Sequence, residues 1–217
     1  PKRYAKYKDT HEWPHIIQIS YMYYNTDTHE FVPFDHIIKL EPTTDISEES
    51  IRIHKITRAI SQEKGIDIKT ALGEFIQLAK SVDYVIGHNL QFDKNMIIVE
   101  CIRNGLLSPF LNKRFKEFCT MKQTVDICKL PQTNPNPKYP DSYKYPKLAE
   151  LHWFLFNILA KNLHNSLCDV IVTLRCFYML LYKEDLYIVN EKIRPFIESI
   201  QRSEEHTSEL QSPMYLV

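Results

Sequence analysis

The sequence has no two cysteines at Cys-x-x-Cys spacing, and its cysteine count of five is odd. A zinc ribbon needs such pairs and a disulfide framework needs an even set, so neither organises this chain. Cys101, Cys119, Cys128, Cys168 and Cys176 are expected to be ordinary structural thiols of a reducing, cytoplasmic compartment. Net charge is also missing, because 27 basic residues balance 27 acidic ones. That balance neither demands nor forbids a polyanionic partner, since a local basic groove can coexist with acidic patches elsewhere. Long apolar runs are absent too. The two longest, Ala149–Ala160 and Val170–Tyr182, are broken by His152, Asn157, Thr173 and Arg175. Neither offers the roughly 20 apolar residues of a membrane-spanning helix, so no membrane partner is expected. The opening PKRYAKYKDTHEWP is basic and polar, unlike a signal peptide. There is no internal repeat.

What is present suits one domain with a short appendage: 217 residues, 44% of them hydrophobic, enough for a real core. Residues 202–212 read RSEEHTSELQS, which resembles the translation of a sequencing-adapter oligonucleotide. We expect residues 1–200 to be the domain and 202–217 to be a non-native tail, the plainer alternative being a disordered C-terminus.

Periodicity predicts an α/β order. His15–Tyr24 alternates apolar and polar residues as a strand does, and Phe31–Leu40 forms a second strand after a polar turn. Pro33 marks an edge or a strand start. Ser47-Glu48-Glu49-Ser50 opens a short helix ending near His54, and Ile68–Ser81 is an amphipathic helix. Tyr84–Gly87 reads as a short buried strand, followed by a helix over Leu90–Asn104 that stops at Gly105. QTVDIC at 123–128 reads as another strand. Five prolines between Pro131 and Pro146 make an irregular excursion, after which Lys147–Leu159 and Ser166–Tyr182 are helices. A further helix ends near Ile200.

Two segments can carry chemistry. In Gly87-His88-Asn89-Leu90-Gln91-Phe92-Asp93 the chain leaves a strand and enters a helix. Asn89 can cap that helix, and Asp93 stands one turn in, on the same face. In Leu163-His164-Asn165-Ser166-Leu167-Cys168-Asp169 the arrangement recurs, 76 residues later, with Asp169 beside an apolar stripe and His164 just before the helix. Carboxylates so placed suit a hard divalent cation, and a histidine with its ordinary pKa near 6.5 suits a general base. Each feature has a plain alternative: acidic residues favour helix N-termini, and a loop histidine is often only a surface residue. Lys138, Tyr139, Tyr143, Lys144, Tyr145 and Lys147 interleave basic and aromatic groups, as a single-strand-binding surface does, or form a solvated loop.

Together GHNLQFD and HNSLCD resemble the second and third motifs of the DnaQ-like 3′–5′ exonucleases of the DEDDh type, in the ribonuclease H-like superfamily. IRIHKIT at 51–57 and KYPKLAELHWFLF at 144–156 resemble the family as well, and the likeness covers roughly residues 1–182. The resemblance implies an α/β fold with a mixed sheet flanked by helices. It implies two divalent ions, Mg²⁺ or Mn²⁺, with Asp93 and Asp169 among their ligands and His164 as the base. It places His54, Asn89 and Phe92 near a terminal nucleotide of single-stranded or 3′-ended nucleic acid, and it admits a DNA polymerase as partner in proofreading. The family's first motif, an Asp-x-Glu on the first strand, has no match upstream of His15. We therefore expect that strand to be missing here and the 217-residue chain to be poorly active. The alternatives are a non-catalytic nucleic-acid-binding or interaction module on the same fold, or another two-metal nuclease or integrase.

Overall fold

The computed structural model describes residues 6–112, 114–133, 142–161, 163 and 165–200. Strands β1 (Gln18–Tyr24) and β2 (Phe31–Ile37) form the expected antiparallel hairpin, with Gln18 opposite Ile37 and Tyr24 opposite Phe31. Asn25 tightens the turn by accepting the Asp27 and Thr28 amides on its Oδ1 at 2.9 and 3.0 Å. The Asn25–Glu30 and Ile38–Ile17 backbone bonds show that odd-numbered residues of β1 carry the ladder. Pro33, opposite Met22, therefore turns its missing N–H away from β1, which is how a β2 edge tolerates it.

Helix α1 (Glu48–His54) starts at Ser47, whose Oγ accepts the Ser50 amide. Helix α2 (Arg58–Lys64) escaped the sequence reading, since Ala59 and Ile60 are its only apolar residues. Its buried Ser61 hydroxyl donates to the Ile38 carbonyl and accepts the Leu40 amide, so a polar contact fixes it. A Cβ added at Gly65 would lie 2.5 Å from the Lys39 nitrogen, so only glycine lets the chain pass beside β2 there. Helix α3 (Ile68–Ala79) is capped by Asp67.

Strand β3 (Tyr84–Gly87) leads into α4 (Leu90–Arg103) and pairs in parallel with β4 (Lys116–Cys119), Tyr84 opposite Lys116. This corrects the strand expected at 123–128. The strand lies upstream, and the predicted stretch falls in two helical turns, α5 (Thr120–Gln123) and α6 (Val125–Cys128). Thr124 donates its hydroxyl to the Thr120 carbonyl at 2.7 Å, a local bond that holds a β-prone residue in a turn. Helix α7 (Leu148–Phe156) stops at Asn157 in left-handed backbone, short of Leu159. Helix α8 (Ser166–Tyr182) has the expected bounds, and α9 (Leu186–Val189) and α10 (Arg194–Ser199) follow.

The hairpin is packed on both faces. Ile17, Ile19 and Tyr21 join the core made with α3 and α4, while Met22, Tyr24 and Phe31 join the core made with α8 and α10. Alternation along β1 thus serves two layers of helix. The mixed sheet that the resemblance implies is present among the described residues as two two-stranded pieces, β1-β2 and β3-β4. No described helix is long and apolar enough to cross a membrane.

Candidate active site

The end of β3 and the starts of α4 and α8 meet at one cleft of about 1180 Å³ between the two sheet pieces. Asn89 enters α4 in left-handed backbone, φ 63° and ψ 38°, which asparagine tolerates better than most residues. Its side chain makes no capping bond, contrary to the capping role expected for it. At the start of α8, Asn165 does cap, its Oδ1 accepting the Leu167 and Cys168 amides at 3.1 and 3.2 Å. Each helix carries its aspartate in the first turn, and Asp93 and Asp169 both line the cleft.

The two carboxylates feel each other. Asp93 is open to water on the cleft side and walled by protein elsewhere. That desolvation, reinforced by the charge of Asp169, pushes its carboxyl from 3.8 up to about 6. Two like charges drawn together at a helix-start cleft are an imbalance that a divalent cation relieves, and oxygen donors suit Mg²⁺ or Mn²⁺. Among the described residues no group of three or more His, Cys, Asp or Glu is gathered tightly enough to hold a metal. The donors are thus right in kind and partial in number.

The other expected site residues divide. Asn89 and Phe92 line the cleft, with the Phe92 ring 43% exposed and 6.3 Å from that of Trp13. His54 is not among the lining residues. Its Nδ1 accepts the Ile56 amide at 3.0 Å, and its Nε2 is buried without a partner among the described residues. His164 lies outside the described residues, as do Lys138 and Tyr139. Of the remaining loop residues, Tyr145 and Lys147 line the cleft, whereas Lys144 is committed to Glu150.

His88 was given no role by the sequence reading, although it stands inside GHNLQFD. Its Nε2 lies 3.0 Å from the Pro146 carbonyl and its Nδ1 2.9 Å from the Thr120 hydroxyl. A carbonyl only accepts, so Nε2 carries the proton and Nδ1 of the neutral ring accepts a hydrogen bond from the Thr120 hydroxyl. Burial favours that neutral form, pulling the pKa below 6.5. The ring ties the strand end to the Tyr145–Lys147 wall of the cleft. The signal was its place between a strand, which the structure leaves only partly buried rather than buried as expected, and a helix start, but a distant carbonyl partner leaves no mark in sequence.

Comparison with known proteins gives a consistent picture. The RNase_T family profile, described as Exonuclease, matches residues 9–177. No curated protein matches the chain in sequence. Among solved structures, E. coli Exonuclease I in complex with a dA16 oligonucleotide superposes with a TM-score of 0.58 at 14% identity, over 83% of this chain and 39% of that one. The same enzyme with a dT13 oligonucleotide gives 0.58 at 15% identity, over 85% of this chain and 39% of that one. The chain thus spans about two fifths of the length of those structures, and the likeness at such identities is one of fold, ribonuclease H-like.

Proposed function

The chain belongs to the RNase_T exonuclease family, and from that premise we propose that its domain removes nucleotides from the 3′ end of single-stranded nucleic acid, releasing nucleoside 5′-monophosphates. The observation that carries this reading is the convergence of Asp93 and Asp169 on one cleft, close enough for one charge to raise the other's pKa. Exonuclease I in the comparison structures holds oligonucleotides, which favours a nucleic-acid strand as the ligand of this cleft as well.

In this reading Asp93 and Asp169 hold divalent ions, Mg²⁺ or Mn²⁺. Such ions, when bound, neutralise charge on the scissile phosphate and make water more acidic. His164 takes the proton of the attacking water on a ring nitrogen. Phe92 and Tyr145 offer exposed rings for base stacking, and Lys147 offers a cation for a phosphate. Asn89 presents an amide at the turn where a terminal nucleotide would sit. His54, outside the cleft lining, reaches a substrate only along a longer path. A cytoplasmic setting accords with five free thiols, and a DNA polymerase is a partner that could deliver 3′ ends.

Two described carboxylates are few for two ions, so we expect the 217-residue chain to trim slowly or not at all. The test uses 5′-labelled single-stranded DNA and RNA with Mn²⁺, Mg²⁺ or EDTA, alongside calorimetric titration with Mn²⁺. The expected result is Mn²⁺ binding lost in Asp93→Asn and Asp169→Asn, with little shortening of the strands. Rapid metal-dependent trimming abolished by His164→Ala would overturn the expectation of low activity. Strand binding with no Mn²⁺ binding would favour the non-catalytic module, a reading supported by the shortage of described ligands.

A further inference from the structure

The segment Thr10–Ile16 runs into β1 with one short 3₁₀ turn, Thr10–Glu12, that no side chain caps. Helix α4 holds it instead. Arg103, in the last turn of α4, donates from Nη1 to the Pro14 carbonyl at 3.0 Å and from Nη2 to the Thr10 and Trp13 carbonyls at 2.5 and 2.6 Å. Glu100 stands three residues earlier on the same helical face and is 3% exposed. Its Oε1 accepts Arg103 Nη1 at 2.7 Å and the Ile16 amide at 3.2 Å, with His15 Nδ1 3.3 Å away. Asn104 Nδ2 lies 3.4 Å from Oε2, so both oxygens of the buried carboxylate have a donor.

An exposed ion pair at this spacing would contribute little. The pair here is buried on the acidic side and aimed at another segment. The planar guanidinium fork reaches Glu100 and three backbone carbonyls at once, which the single nitrogen of a lysine could not span. Glu100 and Arg103 therefore strap the chain ahead of β1 to α4.

The strap carries one large side chain, Trp13, which is 7% exposed. Its carbonyl is gripped from the last turn of α4, while its indole lies 6.3 Å from the ring of Phe92 in the first turn, the planes tilted by 39°. Phe92 and Arg103 are eleven residues apart, about 16 Å along the helix. The segment thus bridges the two ends of α4. The indole is tied at its own nitrogen as well, Nε1 donating to the Lys6 carbonyl at 3.1 Å. Phe92, by contrast, is 43% exposed and lines the cleft beside Asp93. A half-exposed ring loses rotamer freedom when it stacks on a ligand, and a fixed neighbouring ring removes part of that loss beforehand.

We propose that Arg103 is a positioning residue for strand binding: through the Trp13 carbonyl it fixes the indole, and the indole holds the Phe92 ring ready to stack on a base of single-stranded nucleic acid. The nature of the ligand rests on the exonuclease reading above, whereas the strap and its hold on Trp13 do not.

The chain has two tryptophans, so Trp153→Phe leaves Trp13 as the only one. In that background, without nucleic acid, Arg103→Met should make Trp13 emission several-fold more open to acrylamide quenching. Affinity is read by fluorescence anisotropy with Mn²⁺ present. The probe is a 5′-labelled oligothymidylate whose last linkage is a phosphorothioate, which resists trimming. Arg103→Met is expected to raise Kd about tenfold, as the loss of one well-held stack does. Arg103→Lys, which keeps the charge and loses the fork, should bind as weakly. The loss should vanish in the Phe92→Leu background, because the strap acts through that ring. Trp13→Leu should give the same pattern, and it decides the matter should Arg103→Met fail to fold. Full additivity of either variant with Phe92→Leu, or a Kd unchanged in both, would overturn the proposal. Wild-type binding with Trp13 quenching unmoved by Arg103→Met would overturn it too and leave the exonuclease reading standing. A wild type that binds no oligonucleotide would overturn that reading and the stacking role together, while raised quenching in Arg103→Met would still uphold the strap.

Discussion

Asp93 is a residue whose environment moves it well away from its chemistry in water. Its carboxyl sits near 6 rather than 3.8, because the cleft wall withholds water and Asp169 adds a like charge. A carboxyl with a raised folded value binds its proton more tightly folded than unfolded. Without metal, therefore, it lowers stability as pH rises through the window from about 3.8 to about 6. In EDTA at pH 7.5, Asp93→Asn should melt above the wild type, and the gap should close toward pH 4. Mn²⁺ should raise the wild-type Tm and leave the variant unmoved. Scanning calorimetry at two pH values decides this. Asn165 offers a plainer case. Its Oδ1 satisfies two orphan amides of α8, so Asn165→Ala should cost about 1 kcal/mol in urea unfolding.

At the scale of elements, α7, α8 and α9 are joined through one buried guanidinium. Arg175, 2% exposed, donates from Nε and Nη2 to both Asp185 carboxylate oxygens at 2.8 and 2.7 Å, and its other nitrogen lies 3.2 Å from His152 Nε2. His152 Nδ1 donates to the Ile158 carbonyl, so Nε2 is left to accept from Arg175. Burial and then the arginine's charge outweigh that carbonyl's pull and keep the ring neutral. For Asp185 burial alone would raise the pKa, but the arginine holds it below its ordinary value. Both groups contribute stability that fades in acid: His152 as pH falls below 6.5, Asp185 below about 3.8. Arg175→Ala strands a buried carboxylate and should cost about 3–5 kcal/mol by urea unfolding. His88 links elements in the same manner. Its loss in His88→Ala should free the Tyr145–Lys147 segment, seen as tryptic cleavage at Lys144 or Lys147 several-fold faster than in the wild type.

Across the whole molecule, two cores lie on opposite faces of one hairpin, and α8 contacts β1, β2 and β3. Phe177 of α8 meets Phe118 of β4 edge-on at 5.0 Å, tying that helix to the β3-β4 pair. Phe177→Ala should cost about 3–5 kcal/mol. Because the cores share the hairpin, fluorescence and far-ultraviolet dichroism should still report a single coincident unfolding transition.

The sequence by itself determined the parts whose cause is local. The hairpin, α8 and the turn at Gly105 follow from period-2 and period-3.6 patterns and from residues that set φ, and the pairing of GHNLQFD with HNSLCD marked the family. Tertiary structure alone decided what depends on distant neighbours. Thr124 and Val125 prefer strands, yet Lys116–Cys119 provides the strand that pairs with β3, leaving 123–128 to turns. Helix α2 carries almost no apolar stripe, and polar contacts place it: Ser61 with Ile38 and Leu40, Gln62 with the Leu40 carbonyl, and Arg58 with the Glu41 carbonyl. Asp93 and Asp169 stand 76 residues apart, so the charge that one exerts on the other exists only when β3, α4 and α8 converge. Local preference acts over a few residues, whereas a site depends on distances through space, and those arise only when the layers pack.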